Sequence, residues 1–295
     1  MVTVIFSLVL LVVGPVAATA ANPLPCWTGY TVQTDSLPYN LQNPSVVINL
    51  VSEDLKEISG LSPTDEPGIF CAIADERGEI FFIDGNGGGA IVQRVLFRDK
   101  GDFEGVEKVG KCLYAAKSNG DVFEMACWEK NNPQTTVYKT SITKTDNVEG
   151  LCYDSLRNAL LIACKGEPDS AYLRKVYAFD LGSKQLIETP VFTVDPLEVN
   201  RLVAYSDEDK AHFFSPSGIA VHPLNGDVYI VSSALKRLVV LDYKTGKIRF
   251  AVRLNKKLLP QPEGIAFDRA GNLYLSSEGK QGEGLLYRFD FLKQY

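Results

Sequence analysis

The chain repeats one pattern of apolar and polar positions five times. In each copy a small or acidic residue precedes a Gly, apolar residues follow, and a second apolar run ends in polar residues. The copies begin at Ser59-Gly60-Leu61, Glu104-Gly105-Val106, Glu149-Gly150-Leu151, Ser217-Gly218-Ile219 and Glu263-Gly264-Ile265. The glycines are 45, 45, 68 and 46 residues apart. A period near 45 residues is typical of a repeat architecture.

Each copy predicts short strands separated by turns, and the fourth copy is the most regular. Its apolar runs are Gly218 to Val221, Val228 to Ser232, Leu238 to Asp242 and Ile248 to Leu254, and Asn-Gly and Thr-Gly turn signals separate the first two and the last two. Four strands in each repeat of about 40 to 50 residues are the signature of a propeller blade. We therefore predict an all-β fold, a five-bladed β-propeller.

The last copy supplies only three strands before the chain stops. We expect Val46 to Leu50, rich in β-branched residues, to provide the missing outer strand. This N-terminal strand closes the ring and removes a free sheet edge. Six blades are the alternative, but a sixth start motif is absent from the sequence. The excess residues between Asp195 and Ala211 predict an inserted short helix or loop, since Leu197 to Val203 has a weak helical spacing.

The N-terminus predicts a secretory signal over residues 1–20. An apolar run from Val2 to Val13 is followed by a Gly14-Pro15 break and a small-residue cleavage site at Ala18-Thr19-Ala20. An N-terminal extension over 21–44 and the propeller domain over 45–295 follow. We expect a secreted, periplasmic or extracellular monomer without a membrane span after cleavage; an uncleaved membrane anchor is the alternative.

The charge balance narrows the possible partners. The 30 basic and 36 acidic residues give a net charge of −6, which excludes the basic footprint of a nucleic-acid binder. A protein or a small polar ligand is the expected partner. The chain has no Gly-x-Ser-x-Gly elbow, P-loop or paired-cysteine metal motif. His212 is not in a metal-spacing cluster, and His222 precedes a proline and is predicted to be a turn residue.

Cys112 and Cys127 flank the hairpin signal Ser118-Asn119-Gly120-Asp121. A two-residue Asn-Gly turn would place residue 118 opposite 121 and therefore Cys112 opposite Cys127. Opposed residues of this kind lie about 5.5 Å apart at Cα, which is within disulfide range. A disulfide between them is one hypothesis, and two free thiols are the other.

Residues directly before the repeated glycines should form a ring at the propeller axis, because the first strand of every blade lines the central channel. These residues are Ser59, Glu104, Glu149, Ser217 and Glu263. Three converging carboxylates would repel one another, raise their own pKa values or bind a cation. Calcium takes carboxylate, carbonyl and water oxygens, so it is the predicted ion. Alternatively, the same residues cap strand ends and hydrogen-bond to neighbouring blades.

A second ring is expected where the second strands end, at the mouth of the channel. Its predicted members are Asp75, Glu76, Lys117, Lys165, Ser232, Ser233, Ser277 and Glu278, and Glu57 could join either ring. Mixed charge at a channel mouth fits a polar ligand, and it also fits salt bridges between blades.

Five ordered segments resemble the SdiA-regulated family of exported or membrane-anchored bacterial proteins. They are Leu55 to Leu61, Ala74-Asp75-Glu76, Asn147 to Leu151, Phe214 to Pro223 and Gln261 to Asp268. The resemblance covers about Tyr39 to Phe289. It implies a five-bladed propeller distantly related to NHL-repeat proteins, and a calcium site. The assignment of calcium to Glu104, Glu149 and Glu263 is inferred from their ring position.

The leading functional hypothesis is a secreted, calcium-binding propeller that acts as a binding module. The alternative is a metal-dependent hydrolase, lactonase-like or phytase-like, with its site in the central channel. The general base of such a hydrolase would be Glu57, Asp75, Glu76 or Glu278. This alternative is supported by similarity of fold alone. A structural propeller with a merely stabilising ion is the third reading.

Overall fold

The computed structural model describes residues 37–130, 133–166, 173–205, 210, 213–279 and 282–292. Within them, five four-stranded antiparallel sheets form the five predicted blades. The proposed signal at 1–20 and His212 lie outside the described residues.

The strands follow the chain in blade order, starting with β1 (Val46–Leu50). Blade 1 consists of β2 (Ile58–Pro63), β3 (Ile69–Ala74), β4 (Gly78–Asp84) and β5 (Ile91–Arg98). Blade 2 consists of β6 (Phe103–Val109), β7 (Cys112–Lys117), β8 (Val122–Ala126) and β9 (Gln134–Tyr138). Blade 3 consists of β10 (Val148–Asp154), β11 (Ala159–Cys164), β12 (Arg174–Asp180) and β13 (Gln185–Val194).

Blade 4 consists of β14 (Pro216–Val221), β15 (Val228–Ser232), β16 (Arg237–Leu241) and β17 (Ile248–Arg253). Blade 5 consists of β18 (Pro262–Phe267), β19 (Leu273–Ser277), β20 (Gly284–Phe289) and β1. Short 3₁₀ turns occupy Glu53–Leu55 and Trp128–Lys130.

The N-terminal strand closes the ring, as predicted. β1 runs antiparallel to β20, with Val46 opposite Arg288 and Leu50 opposite Gly284. Both ends of the described chain therefore belong to one sheet, so the ring cannot open without breaking a ladder of hydrogen bonds.

The long interval between the third and fourth motifs contains the predicted helix, α1 (Pro196–Leu202). The Asp195 side chain accepts a hydrogen bond from the backbone N–H of Leu197, and Pro196 occupies the first turn, where its missing N–H costs nothing. The buried Asn200 ties α1 to blade 4, because its Oδ1 accepts a bond of 3.1 Å from Nε of Arg237.

The hydrophobic core is divided among the five contacts between neighbouring blades. Each contact has its own cluster of buried side chains; the cluster between blades 1 and 2, for example, includes Phe82, Phe103 and Phe123. Second strands such as β11 and β15 are buried along their whole length, while outer strands such as β5 are exposed at alternate positions. Burial therefore declines from the axis outward.

The repeated glycines lie where neighbouring inner strands touch. A Cβ added to Gly60 would come within 2.9 Å of the backbone nitrogen of Val106, and one added to Gly105 within 2.5 Å of Cβ of Leu151. A Cβ on Gly218 would lie 2.3 Å from the carbonyl oxygen of Glu263. No side chain fits these contacts, which explains why a Gly begins every repeat.

The predicted disulfide does not form, because the hairpin register differs by one residue. Leu113 is opposite Met125 in the β7–β8 pair, which places Cys112 opposite Ala126. The turn holds three residues instead of two: the N–H of Lys117 bonds the carbonyl of Asp121, and Gly120 has φ of 87°. A slip of one residue moves a side chain to the other face of a strand. Cys112 and Cys127 are both free thiols.

The described residues include no helix that is long and apolar enough to cross a membrane.

Replacing Gly218 with Ala tests the inner-strand contact. Because the new methyl group would meet the backbone of blade 5, we expect Gly218→Ala to lower the free energy of unfolding by about 1 to 3 kcal/mol. Denaturant unfolding would measure this. Gly182→Ala is the matched control, since Gly182 lies in an exposed turn where the nearest atom is Oδ1 of Asp180 at 3.3 Å. Equal stability of the two variants would contradict the explanation.

Candidate functional site

The two predicted rings lie at the same face of the propeller. In each antiparallel blade the inner strand begins beside the end of the second strand, so both sets of residues meet there. Backbone bonds fix this proximity: the N–H of Lys165 donates to the carbonyl of Asn147 (2.8 Å), and that of Glu278 to Gln261 (3.0 Å). We term this the upper face, and the face where the inner strands end the lower face.

The ring residues converge on the axis. Ser59, Glu104, Glu149 and Ser217 line a narrow cavity of about 10 Å³ together with the repeated glycines. This volume admits about one water-sized sphere. Glu263 is 9% exposed and lies close enough to Glu149 for their charges to interact. The upper end of the axis is therefore acidic, narrow and largely closed to water.

One ammonium group shares this ring with the carboxylates. Oε1 of Glu149 accepts hydrogen bonds from Nζ of Lys165 (3.1 Å) and from Nδ2 of Asn147 (2.9 Å). Burial opposes the charge of Lys165, but the charges of Glu149, Glu263 and Glu104 outweigh it and raise the Lys165 pKa. Lys165 is thus a resident cation, and one positive charge faces three carboxyl groups.

Burial and mutual repulsion hold the carboxyl groups toward their neutral forms. Burial, followed by the charge of Glu149, raises the pKa of Glu104 to about 9. Burial, with Glu278 and Glu149 adding to it, raises the pKa of Glu263 well above its usual range. Burial also raises the pKa of Glu149, although Lys165 opposes the shift.

The two serines of the ring have backbone partners. Oγ of Ser59 donates to the carbonyl of Glu57 (3.4 Å), and Oγ of Ser217 donates to the carbonyl of Pro262 (2.8 Å) in the next blade. Ser217 therefore makes the hydrogen bond between neighbouring blades that the sequence analysis considered as the structural alternative. Because its hydroxyl group acts as the donor in this bond, its oxygen can still accept a hydrogen bond or contact a cation.

The outer residues of the mouth are spread more widely. Burial, followed by the charge of Glu57, raises the pKa of Asp75, whose Oδ1 is buried without a hydrogen-bond partner. Oε2 of Glu278 accepts from Nε2 of Gln261 at 2.5 Å. Nζ of Lys117 lies 5.9 Å from the centre of the Phe103 ring, and Glu76 is exposed.

A third set of polar residues belongs to the upper face, and only its member Glu57 was identified from the sequence. Asp102 lies beside Glu104, its charge adds to the rise in the Glu104 pKa, and it accepts a short hydrogen bond from Oγ of Ser118. Every blade has a polar residue two positions before the ring residue; the set is Glu57, Asp102, Asn147, Ser215 and Gln261. The constant spacing from the ring residue was the available signal, and each of these residues directly precedes an inner strand.

The described residues do not contain a preformed metal site. In that part of the chain, no three Asp, Glu, His or Cys side chains lie close enough together to hold an ion. The second histidine, His222, is a structural residue of the lower face, as predicted: its Nδ1 accepts from the N–H groups of Leu224 and Asn225, and its Nε2 lies 2.9 Å from Oη of Tyr39.

Sequence comparison now identifies the family. The model of the SdiA-regulated family matches residues 38–290, nearly the whole described part. The chain belongs to the SdiA-regulated family. No curated protein matches its sequence.

Solved structures share the fold at low sequence identity. Myxococcus xanthus glutaminyl cyclase is 14% identical, with a TM-score of 0.59 over 84% of this chain and 95% of that chain. A glucose dehydrogenase is 12% identical, with a TM-score of 0.52 over 82% of this chain and 98% of that chain. At such identities the likeness shows the propeller fold and leaves the activity open.

The raised pKa of Glu104 predicts a specific pH dependence of stability. The folded value of about 9 exceeds the reference value of 4.5, so unfolding releases a proton between these values. Stability should therefore fall as pH rises through this window. Glu104→Gln stays neutral, and at pH 8 without metal we expect it to unfold with a free energy higher by on the order of 2 kcal/mol.

Thermal and denaturant unfolding at about pH 5 and about pH 8 would measure this difference. The gain in the free energy of unfolding should be small at the lower pH, because residue 104 of the folded protein is then uncharged in both the unmodified protein and the variant. Glu66→Gln, at an exposed position of the lower face, should show no gain. An equal gain at both pH values would contradict the assignment of the effect to Glu104.

Proposed function

We propose that this chain is an exported binding propeller whose upper mouth takes a cationic group, with calcium as the candidate ion. The observation that carries the proposal is the charge imbalance at the axis: among the described residues, Lys165 is the one basic side chain in an ion pair with the carboxyl groups of Glu104, Glu149 and Glu263. An added positive charge would relieve the repulsion that now holds these carboxyl groups toward neutrality.

The chemistry of the donors supports a hard cation. The ring offers carboxylate and hydroxyl oxygens, which calcium prefers, and Oδ1 of Asp75 is a buried oxygen without a partner. Glu104, Glu149 and Glu263 would hold the ion, with Ser59 and Ser217 as further oxygen donors. Once bound, calcium would neutralise the carboxylates and tie the inner strands of blades 2, 3 and 5 together.

Lys165 sets a condition on this binding. Its ammonium group occupies Oε1 of Glu149 at 3.1 Å, so an ion that binds Glu149 through this oxygen must displace it. The displaced Lys165, together with Lys117 of blade 2, would then place positive charge beside the ion at the mouth. Such a mouth suits a partner protein or a small polar ligand that carries both acidic and basic groups.

A second candidate function is hydrolysis in the central channel. Glu104, with a pKa of about 9, is protonated at neutral pH, while Glu149 next to it contacts Lys165. An acid and a neighbouring carboxylate in different environments are an arrangement that general acid–base catalysis uses. Metal-dependent turnover of lactone, ester or phosphoester substrates that EDTA abolishes would favour this candidate over a pure binding role.

Thermal unfolding of the chain from Ala21 with EDTA, Ca²⁺, Mg²⁺ or Zn²⁺ tests the calcium proposal. Calcium at about 100 times its Kd should stabilise the unmodified protein by about 2.7 kcal/mol. The double variant Glu149→Gln with Glu263→Gln should lose this shift, because it lacks two of the three proposed ligands. Absence of a shift with any metal would refute the calcium proposal.

The variant Lys165→Met tests whether the Lys165 ammonium group competes with calcium for Glu149. Without the ammonium group the carboxylates repel more strongly, so the variant should be less stable than the unmodified protein in EDTA. Calcium should then bind more tightly, because no resident cation competes for Glu149. If Lys165→Met weakened calcium binding, Lys165 would instead support the site, and the displacement step would be wrong.

A further inference from the structure

A second axial site lies on the lower face of the propeller. A cavity of about 510 Å³ opens there, and residues from all five blades line it. Its walls are mainly apolar and include Leu61, Phe70, Ala220, Ile265 and Phe267. This volume is within the range of sites for small organic molecules, about 300 to 1,000 Å³.

The five inner strands place equivalent residues at this level of the axis, and all of them except the buried Ser62 line the cavity. They lie two positions after each repeated glycine and are Ser62, Glu107, Cys152, Ala220 and Ala266. Four of the five blades place a small or thiol side chain here, and only blade 2 places a charged one. Glu107 is 7% exposed and still lines the cavity.

The hydrogen bonds of Glu107 hold it in place without balancing its charge. Its Oε1 accepts from Oγ of Ser62 at 3.0 Å, and the backbone N–H groups of Lys108 and Tyr153 also donate to its carboxyl group. The Nζ of Lys108 is engaged by Asp65 (2.5 Å) and by the carbonyl of Gly110 (2.8 Å). Within the described residues no basic side chain forms an ion pair with Glu107.

A buried carboxylate without a cationic partner costs free energy, which a ligand can recover by supplying the charge. The ligand must also carry an apolar body, because most of the remaining wall surface is apolar. We propose that the lower cavity binds a small primary amine with an apolar body, whose ammonium group donates to the carboxylate of Glu107. This site is separate from the acidic mouth on the upper face.

The surroundings of Glu107 allow its ionisation to be followed alone. Burial raises the pKa of Glu107 itself to about 8. The titratable neighbours of Glu107 are Cys71, Cys152 and Tyr153, and burial raises the pKa of each. For the two thiols, the charge of Glu107 is the next largest cause.

Other charged groups also line the cavity, namely Asp65, Glu66, Lys108, Asp268, Arg269 and Arg288. Lys108 and Arg269 pair with Asp65, and Arg288 pairs with Asp290. Asp154, near Cys152, pairs with Arg157.

Isothermal titration calorimetry with hexylamine and 2-phenylethylamine tests the proposal, with hexan-1-ol and 2-phenylethanol as neutral counterparts. The amines should bind and the alcohols should bind at least about tenfold more weakly. Binding requires the ionised carboxylate, so the Kd of each amine should fall by up to about tenfold per pH unit between about pH 6 and about pH 8. Equal binding of amine and alcohol would overturn the proposal.

Glu107→Gln keeps the shape and an acceptor for Ser62 but removes the charge. We expect it to weaken amine binding at pH 8 by at least about tenfold and to abolish the pH dependence. Glu79→Gln is the matched control, because Glu79 is also 7% exposed but lies outside the cavity and contacts Arg77 at 3.3 Å. Unchanged amine binding in Glu107→Gln would overturn the proposal.

Ala220→Leu provides an independent variant in case Glu107→Gln fails to fold. The larger side chain would fill part of the cavity while leaving the carboxyl group in place, and amine binding should weaken. If the amines bound this variant as they bind the unmodified protein, they would occupy another site. Failure of amine binding leaves the calcium shift on the upper face unaffected, so the two proposals are tested separately.

Discussion

The contact between neighbouring inner strands at their glycines is the constraint on which the rest of the propeller depends. Gly150 illustrates it, since an added Cβ would lie 3.1 Å from Cα of Gly218 in the next blade. Such contacts bring the strands together at the axis and leave a cavity of about 10 Å³ between them. They also force the residues before the glycines into one crowded ring. The acidity of the ring is therefore concentrated by backbone packing, and burial raises the pKa values of its carboxyl groups.

The same constraint separates the two ends of the axis. Above the glycines the ring is acidic and contains Lys165 as its internal cation. Below them the strands diverge into a cavity of about 510 Å³ with apolar walls and one buried carboxyl group, that of Glu107. One repeated strand thus provides two different environments, because residues on either side of its glycine face opposite ends of the propeller.

The closing strand and the inserted helix both tie together parts of the chain that are separate in sequence. β1 completes blade 5, and the residues before it continue the packing, since Tyr39 and Leu41 join the core between blades 4 and 5. On the other side, α1 is tied to blade 4 through Asn200 and Arg237. The enzymes that resemble this chain at 12% to 14% identity share its propeller fold. Their likeness accordingly reflects architecture and carries no assignment of chemistry.

The sequence by itself determined the number of blades, the closing strand Val46–Leu50, the helix after Asp195 and the ring of Ser59, Glu104, Glu149, Ser217 and Glu263. These features follow from local periodicity, and equivalent positions of a repeat must converge on its axis. Other features depended on the tertiary structure. The register of Cys112 was set by a turn conformation with Gly120 at positive φ, which the Asn-Gly pair leaves open. The contact of Lys165 with Glu149, the proximity of Asp102 to Glu104 and the cavity lined by Glu107 arise only when separate strands and blades are packed together. Their energies depend on burial and distance, which the order of residues along the chain does not specify.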